Sequence, residues 1–177
     1  MTKKRQLNFK RDIEPIINKY GLKNDNDCKE AVELIKKDDP KGYNQLARIL
    51  ICLVLLDSRE EKIVYAMTEK AFNMGMQEAY FNLGSQHLFG VGVRINAKKG
   101  LGMMQAAFLE SFSSAYSKYP LGSSESFCLI GYLNKFMEEM LYCANAVKNQ
   151  DEGEHRRRYL RLGDIYSIVH DINETGF

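Results

Sequence analysis

The chain has 177 residues, 45% of them apolar and 27% charged, which is enough to bury a substantial core in one domain. Its 25 basic and 23 acidic residues leave a net charge of +2, so the strongly one-signed field of a general nucleic-acid or anionic-lipid binder is excluded. Only three prolines accompany a composition rich in helix formers, and the class predicted is all-α.

The opening "MTKKRQLNFKRD" is basic but lacks the apolar stretch and cleavage site of a secretory signal, so a cytoplasmic location and free thiols are expected. Asp12 is predicted to open a short helix through Ile13, Ile16 and Ile17, with Pro15 in its first turn and Gly21 as its stop. Asp27 with Glu30 reads as a capping box before Ala31, Val32, Leu34 and Ile35. Asp39-Pro40 places proline at the first position of a helix running to about Leu56. The apolar run "ILICLVLL" at its end is far shorter than the ~20 residues a membrane span needs, and predicts a buried segment. Ser58 with Glu61 reads as a second capping box, and Gly75 is placed to end that helix.

Residues 77–89 and 96–111 predict two further helices around a glycine-rich loop. From Ser124 to Lys148, apolar residues at 129, 130, 133, 136, 137, 140, 141, 144 and 147 predict one long amphipathic helix. A second helix over 154–172 is expected to pack on it through Leu160, Leu162, Ile165, Tyr166 and Val169. Residues 112–123 fit either a loop or an extension of the preceding helix.

The loop in "LGSQHLFGVGVRINAKKG" (83–100) could hold a phosphate or only turn the chain. A phosphate loop needs G-x-x-x-x-G-K-[ST] after a strand, but the residues before Gly90 have helical spacing and no GK[ST] follows. The dinucleotide pattern GxGxxG fails as well, since Arg94 and Ile95 follow Gly92. Gly90 and Gly92 are explained by positive φ at a helix end and a tight turn, and Gly84, inside a helix, by close helix–helix approach.

Other candidate chemistry is sparse. No nucleophile elbow, H-E-x-x-H helix or CxxC pair occurs. Glu152-x-x-His155 is half of a di-metal motif, set in the charged turn "NQDEGEHRRR". His170 and Asp171 are adjacent and would point apart on a helix. Cys28, Cys52, Cys128 and Cys143 lie on apolar helical faces, where cysteine acts as a small hydrophobe. Two basic clusters, Lys3-Lys4-Arg5 with Lys10-Arg11 and Arg156-Arg157-Arg158 with Arg161, read as solvated helix faces, although either could touch phosphate or an acidic protein. The chain is therefore expected to be non-enzymatic, with no cofactor or metal.

Internal similarity carries the most information. "KAFNMG" (70–75) and "AAFLES" (106–111) share x-Ala-Phe-x-x-small at an offset of 36, and Met67 and Met103 keep that offset. "GYNQLAR" (42–48) and "AYFNLGS" (79–85) align at 37. A period in the mid-thirties is that of helix-turn-helix arrays, in which each pair buries its apolar face against its neighbours. Residues 79–111 resemble a Sel1-like repeat, a relative of the tetratricopeptide repeat, at Ala79, Leu83-Gly84, Gly90, Gly92-Val93, Lys99 and Ala107. The sequence departs from that pattern at His87, Asn96, Gly100, Met103 and Phe108, and the unit 43–75 lacks the glycine loop.

The resemblance implies a helix-turn-helix solenoid of about two repeats (41–111) in one domain, with capping helices over 1–40 and a helical hairpin or divergent repeat over 124–172. It also implies a protein–protein interaction module. The narrower expectation is an immunity-type inhibitor of a cognate bacterial toxin or effector. The alternatives are a general adaptor and, more weakly, a nucleic-acid-associated accessory protein. In such solenoids the first helix of each unit lines a concave face, so the expected binding residues are Glu78, Phe81, Ser85 and Phe89, joined by Tyr132, Lys135 and Asp164 from the weaker echoes. Phe81 and Phe89 fit a packed core between repeats equally well.

Overall fold

The computed structural model describes residues 7–52, 56–148 and 152–177, with side chains for all of these except Cys52, 146–148 and 152–160. Among the described residues the chain is all-helical, with eight α-helices and no strand. They are α1 (Glu14–Lys19), α2 (Asn26–Lys36), α3 (Pro40–Cys52), α4 (Ser58–Asn73), α5 (Glu78–Phe89), α6 (Ala97–Tyr116), α7 (Ser124–Lys148) and α8 (Glu152–Thr175). A π-helical turn, Phe9–Ile13, leads into α1, and a 3₁₀ turn, Leu22–Asn24, precedes α2.

Helix positions follow the sequence reading closely, but three caps fall elsewhere. Asn8, not Asp12, caps the first segment by accepting the Arg11 N–H at 3.0 Å. Asp25, not Asp27, accepts the Cys28 N–H at 2.8 Å. The box at α4 is Asp57 with Glu60, not Ser58 with Glu61. Asp57 Oδ1 accepts from Arg59 and Glu60, and Glu60 Oε2 accepts the Asp57 N–H at 2.9 Å. A capping residue must have extended backbone while its carbonyl already enters the helix, and Asp25 (ψ 131) and Asp57 (ψ 166) have that backbone. Asp39-Pro40 starts α3 as expected, with Asp39 accepting the Lys41 N–H at 2.8 Å. At the C-terminal end, α8 is helical from Glu152, which replaces the charged turn expected there.

The chain divides into two compact units, Met1–Asn96 and Ala97–Phe177. The boundary follows the glycine loop and falls inside the stretch 41–111 expected to hold consecutive repeats.

In the first unit α2, α3, α4 and α5 pack in chain order, each on the next. The core is Ile13, Ile16, Ile17, Ala31, Ile35, Leu46, Leu50, Val64, Met67 and Ala71. Each large member contributes about 1.5–3 kcal/mol by leaving water. Two glycines set how closely the helices approach. A Cβ on Gly42 would meet the Ala31 carbonyl oxygen and Leu34 Cβ at 2.6 Å, so α3 can lie on α2 only with glycine there. Gly92 has φ 69, and its Cβ would fall 2.2 Å from the Glu61 carbonyl oxygen, so the loop after α5 seats against α4. Gly90 (φ 77) ends α5, with the Gly90 and Val91 N–H groups both donating to the Gln86 carbonyl.

Glu60 links α1 to α4. Burial pushes its carboxyl up, but hydrogen bonds from Lys19 (2.7 Å), the Asp57 N–H and Tyr20 (2.9 Å) hold it below its ordinary range.

In the second unit α6, α7 and α8 pack against one another pairwise. Phe108 of α6 lies parallel to Phe136 of α7 with ring centroids 3.8 Å apart. Ala115, Leu129 and Ile172 form a further core cluster, with Phe112, Tyr116, Tyr119 and Tyr132 around it. Arg161 reaches the buried Glu139 at 3.3 Å, joining α8 to α7.

Candidate interaction surface

Helix α5 was expected to present a binding face, but it is buried on nearly all sides. From Ala79 to Leu88 every residue except Tyr80 is buried. Phe81 (3% exposed) and Ser85 (2%) therefore cannot meet a partner from this surface, which corrects the expectation of exposure. Phe89 is half-buried, and so is Glu78, whose carboxylate pairs with Arg48 of α3 at 3.1 Å. Tyr132 packs beside Ala115, Leu129 and Ile172, while Lys135 and Asp164 are exposed.

Four of the nine residues that α5 buries are polar, and hydrogen bonds from neighbouring helices and within α5 satisfy most of their groups, Gln86 Oε1 being left without a partner. Asn82 Nδ2 donates to Asn44 Oδ1 at 2.7 Å, and Ser85 Oγ donates to the Asn82 carbonyl at 2.7 Å. Gln86 Nε2 donates to Thr68 Oγ1 at 2.8 Å, and that hydroxyl in turn donates to the Val64 carbonyl at 3.2 Å. His87 lies edge-on to Tyr65, with Nε2 3.5 Å from the phenol oxygen. The Asn82–Asn44 and Gln86–Thr68 bonds tie α5 to α3 and α4. Among the described residues no cluster of three or more His, Cys, Asp or Glu side chains is placed to hold a metal ion.

The first unit also carries two open clefts. One, of about 260 Å³, is lined by Phe9, Ile17, Val32 and Cys28, with Lys29 and Lys36 among its other lining residues. Burial, and to a lesser degree Asp25, pushes the Cys28 thiol up, opposite to what a nucleophile needs. The second, of about 770 Å³, is lined by Asp57, Arg59, Lys62 and Ile63.

The exposed apolar surface lies on α7. The broad stripe read from the sequence divides here into two faces. Leu129, Phe136, Met140 and Cys143 point into the unit, with Phe136 and Cys143 fully buried. On an adjoining face Phe127 is 65% exposed, Ile130 36%, Met137 42% and Leu141 63%. With Phe127 at position a of a heptad, Ile130 is d, Asn134 a, Met137 d, Leu141 a and Ala144 d. Four large apolar side chains in one continuous row make a patch on the order of 400 Å², a size that on a monomer is often functional.

Sequence reasoning missed this row because it read Ile130, Met137 and Leu141 with Leu129, Phe136 and Met140 as a single apolar stripe of one amphipathic helix. The repeat at 3 and 4 residues through Phe127 and Asn134, beside an equally apolar line, was the signal that could have separated the faces. Cys128 is exposed beside this row, against the expectation of an apolar site, while Cys28 and Cys143 are buried as expected and the Cys52 side chain lies outside the described residues. The side chains of Glu152, His155 and Arg156–Arg158 also lie outside them, as do Lys3–Arg5 entirely. Among the described residues, no helix is long and apolar enough to cross a membrane.

No protein-family model, curated protein or solved structure matches the chain.

Proposed function

We propose that the chain is a helical protein–protein interaction module whose binding surface is the outer face of α7. The observation that carries this is the exposed row Phe127, Ile130, Met137 and Leu141. Leaving these side chains in water costs free energy that a partner recovers by covering them, at roughly 25 cal/mol per Å² of apolar area. The proposal includes Sel1-like repeat organisation over 41–111. It is supported by the Asn44–Asn82 bond between α3 and α5, the first helices of the two expected repeats, and by the seat of Gly92 on α4.

A photo-crosslinking amino acid placed at Phe127 or Leu141 in source cells tests the binding surface. The expected result is discrete protein adducts that are absent when the same group replaces Asp164, which is exposed on α8. Adducts only to lipid, or none, would remove the reading. Among protein adducts, one heterologous species in fixed stoichiometry is what a dedicated toxin or effector inhibitor requires, and several species are what an adaptor requires.

A further inference from the structure

We propose that the occupant of this face is a second copy of the chain, docked α7 against α7, antiparallel about a two-fold axis. This rests on the reading of the α7 face as protein-binding, and names its partner.

The first argument is fit. An antiparallel pair places each a residue opposite a d residue of the other helix. A two-fold axis midway between Lys135 and Phe136 then gives Phe127 opposite Ala144, Ile130 opposite Leu141, and Asn134 opposite Met137, each layer occurring twice. The most exposed aromatic meets the smallest side chain of the row. A parallel pair would set Phe127 on Phe127 and leave a gap between two alanines. The axis also brings the two Asn134 side chains within about 5 Å of each other along the helix direction, at a rise of 1.5 Å per residue. A polar residue in an otherwise apolar seam favours one register over its slipped alternatives.

Charge is the second argument. The row itself carries no charge from Phe127 to Ala144, and beside it lie the exposed Lys135 and Glu138. With this axis, Glu138 of one copy is about 3 Å along the helix from Lys135 of the other and about 7–8 Å from its own symmetry mate. Two attractive pairs therefore form across the axis. In a parallel pair the helix flank bearing Glu138 faces the flank bearing Leu133 and Met140, so these charges lose their partners.

The third argument is area. The four apolar side chains expose on the order of 400 Å² per copy, about half the roughly 800 Å² per partner of a standard stable interface, and the exposed Asn134 and Glu138 along the same seam add to it.

Sedimentation velocity on the purified full chain between 1 and 100 µM is the test, with far-UV circular dichroism to verify helicity. The expected result is a concentration-dependent species of twice the chain mass. Leu141→Glu, at a 63% exposed position, should abolish it without loss of helix. Lys135→Glu and Glu138→Lys should each weaken self-association on the order of tenfold, while an equimolar mixture of the two restores it by forming the complementary heterodimer. A chain that stays monomeric at 100 µM overturns the proposal. So does a dimer indifferent to Leu141→Glu, or two charge variants that fail to complement. A monomer that still gives protein adducts at Phe127 in cells would remove the second copy as partner and leave the interaction surface standing.

Discussion

Helices α5 and α7 invert the usual rule of apolar inside and polar outside, in opposite senses. α5 buries Asn82, Ser85, Gln86 and His87, whereas α7 exposes Phe127, Ile130, Met137 and Leu141. Scattered apolar residues on a surface are ordinary; buried polar groups and continuous apolar rows are the informative exceptions. On α5 most of the exception is resolved inside the protomer: Asn44 and Thr68 accept from the Asn82 and Gln86 amide nitrogens, while Gln86 Oε1 stays buried without a hydrogen-bond partner. On α7 nothing within the described residues resolves it. A helix whose polar groups are mostly satisfied at home is structural, and a helix whose apolar row is left in water points outward to something else.

The largest expected effect separates the two faces of α7. Phe136→Ala removes a fully buried ring stacked on Phe108 and should cost about 3–5 kcal/mol of protomer stability. Phe127→Ala, on the outer face, should change protomer stability by no more than about 0.5 kcal/mol. Chemical denaturation makes the comparison, with Leu141→Glu in the background of both variants so that no α7 pair forms. Similar costs at the two positions would mean that Phe127 is also core.

The next effect tests α5. Asn82→Leu strands Asn44 in a site that is 1% exposed, and should cost about 1–3 kcal/mol. Adding Asn44→Leu removes the stranded partner, so the double variant should be more stable than Asn82→Leu alone. A double-mutant cycle by denaturant unfolding measures this coupling. Additive losses would show that the two amides do not act as a pair.

How much of this was legible beforehand depended on the kind of signal. The long helix from Ser124 to Lys148 was read at its observed limits because an apolar period sustained over many turns outweighs local ambiguity. Caps were read a few residues off, since several Asp, Asn and Ser residues compete near each helix start and only the backbone decides which side chain faces the free N–H groups. Burial of Ser85 was out of reach, and that of Phe81 stood as one of two equal readings, because burial depends on how many neighbours surround α5 and not on its own pattern. The two faces of α7 were hidden for a related reason. Leu129 and Ile130, or Phe136 and Met137, are adjacent in sequence and both apolar, and periodicity alone does not say which of the two meets the core. Gly42 passed unnoticed because its role is defined by Ala31 and Leu34 on another helix.

The smallest expected effect leaves stability untouched and reads the rotation of α7 directly. Cys128 and Cys143 lie on one helix, the first exposed and the second fully buried. Burial, with Glu139 adding to it, pushes the Cys143 thiol up to about 11. Only the thiolate reacts, so at pH 8 about one Cys143 in a thousand is in the reactive form even before access is considered. Alkylation of the native chain, followed by peptide mass spectrometry, should modify Cys128 at least a hundredfold faster than Cys143. Cys143 labelling should accelerate only where denaturant opens the second unit, or as pH climbs toward 11, whereas labelling of Cys128 should not await unfolding. Equal rates for the two thiols would mean that α7 is turned from the orientation described here. The row Phe127–Leu141 would then no longer be an outer face, and both the interaction surface and the antiparallel pair built on it would fall together.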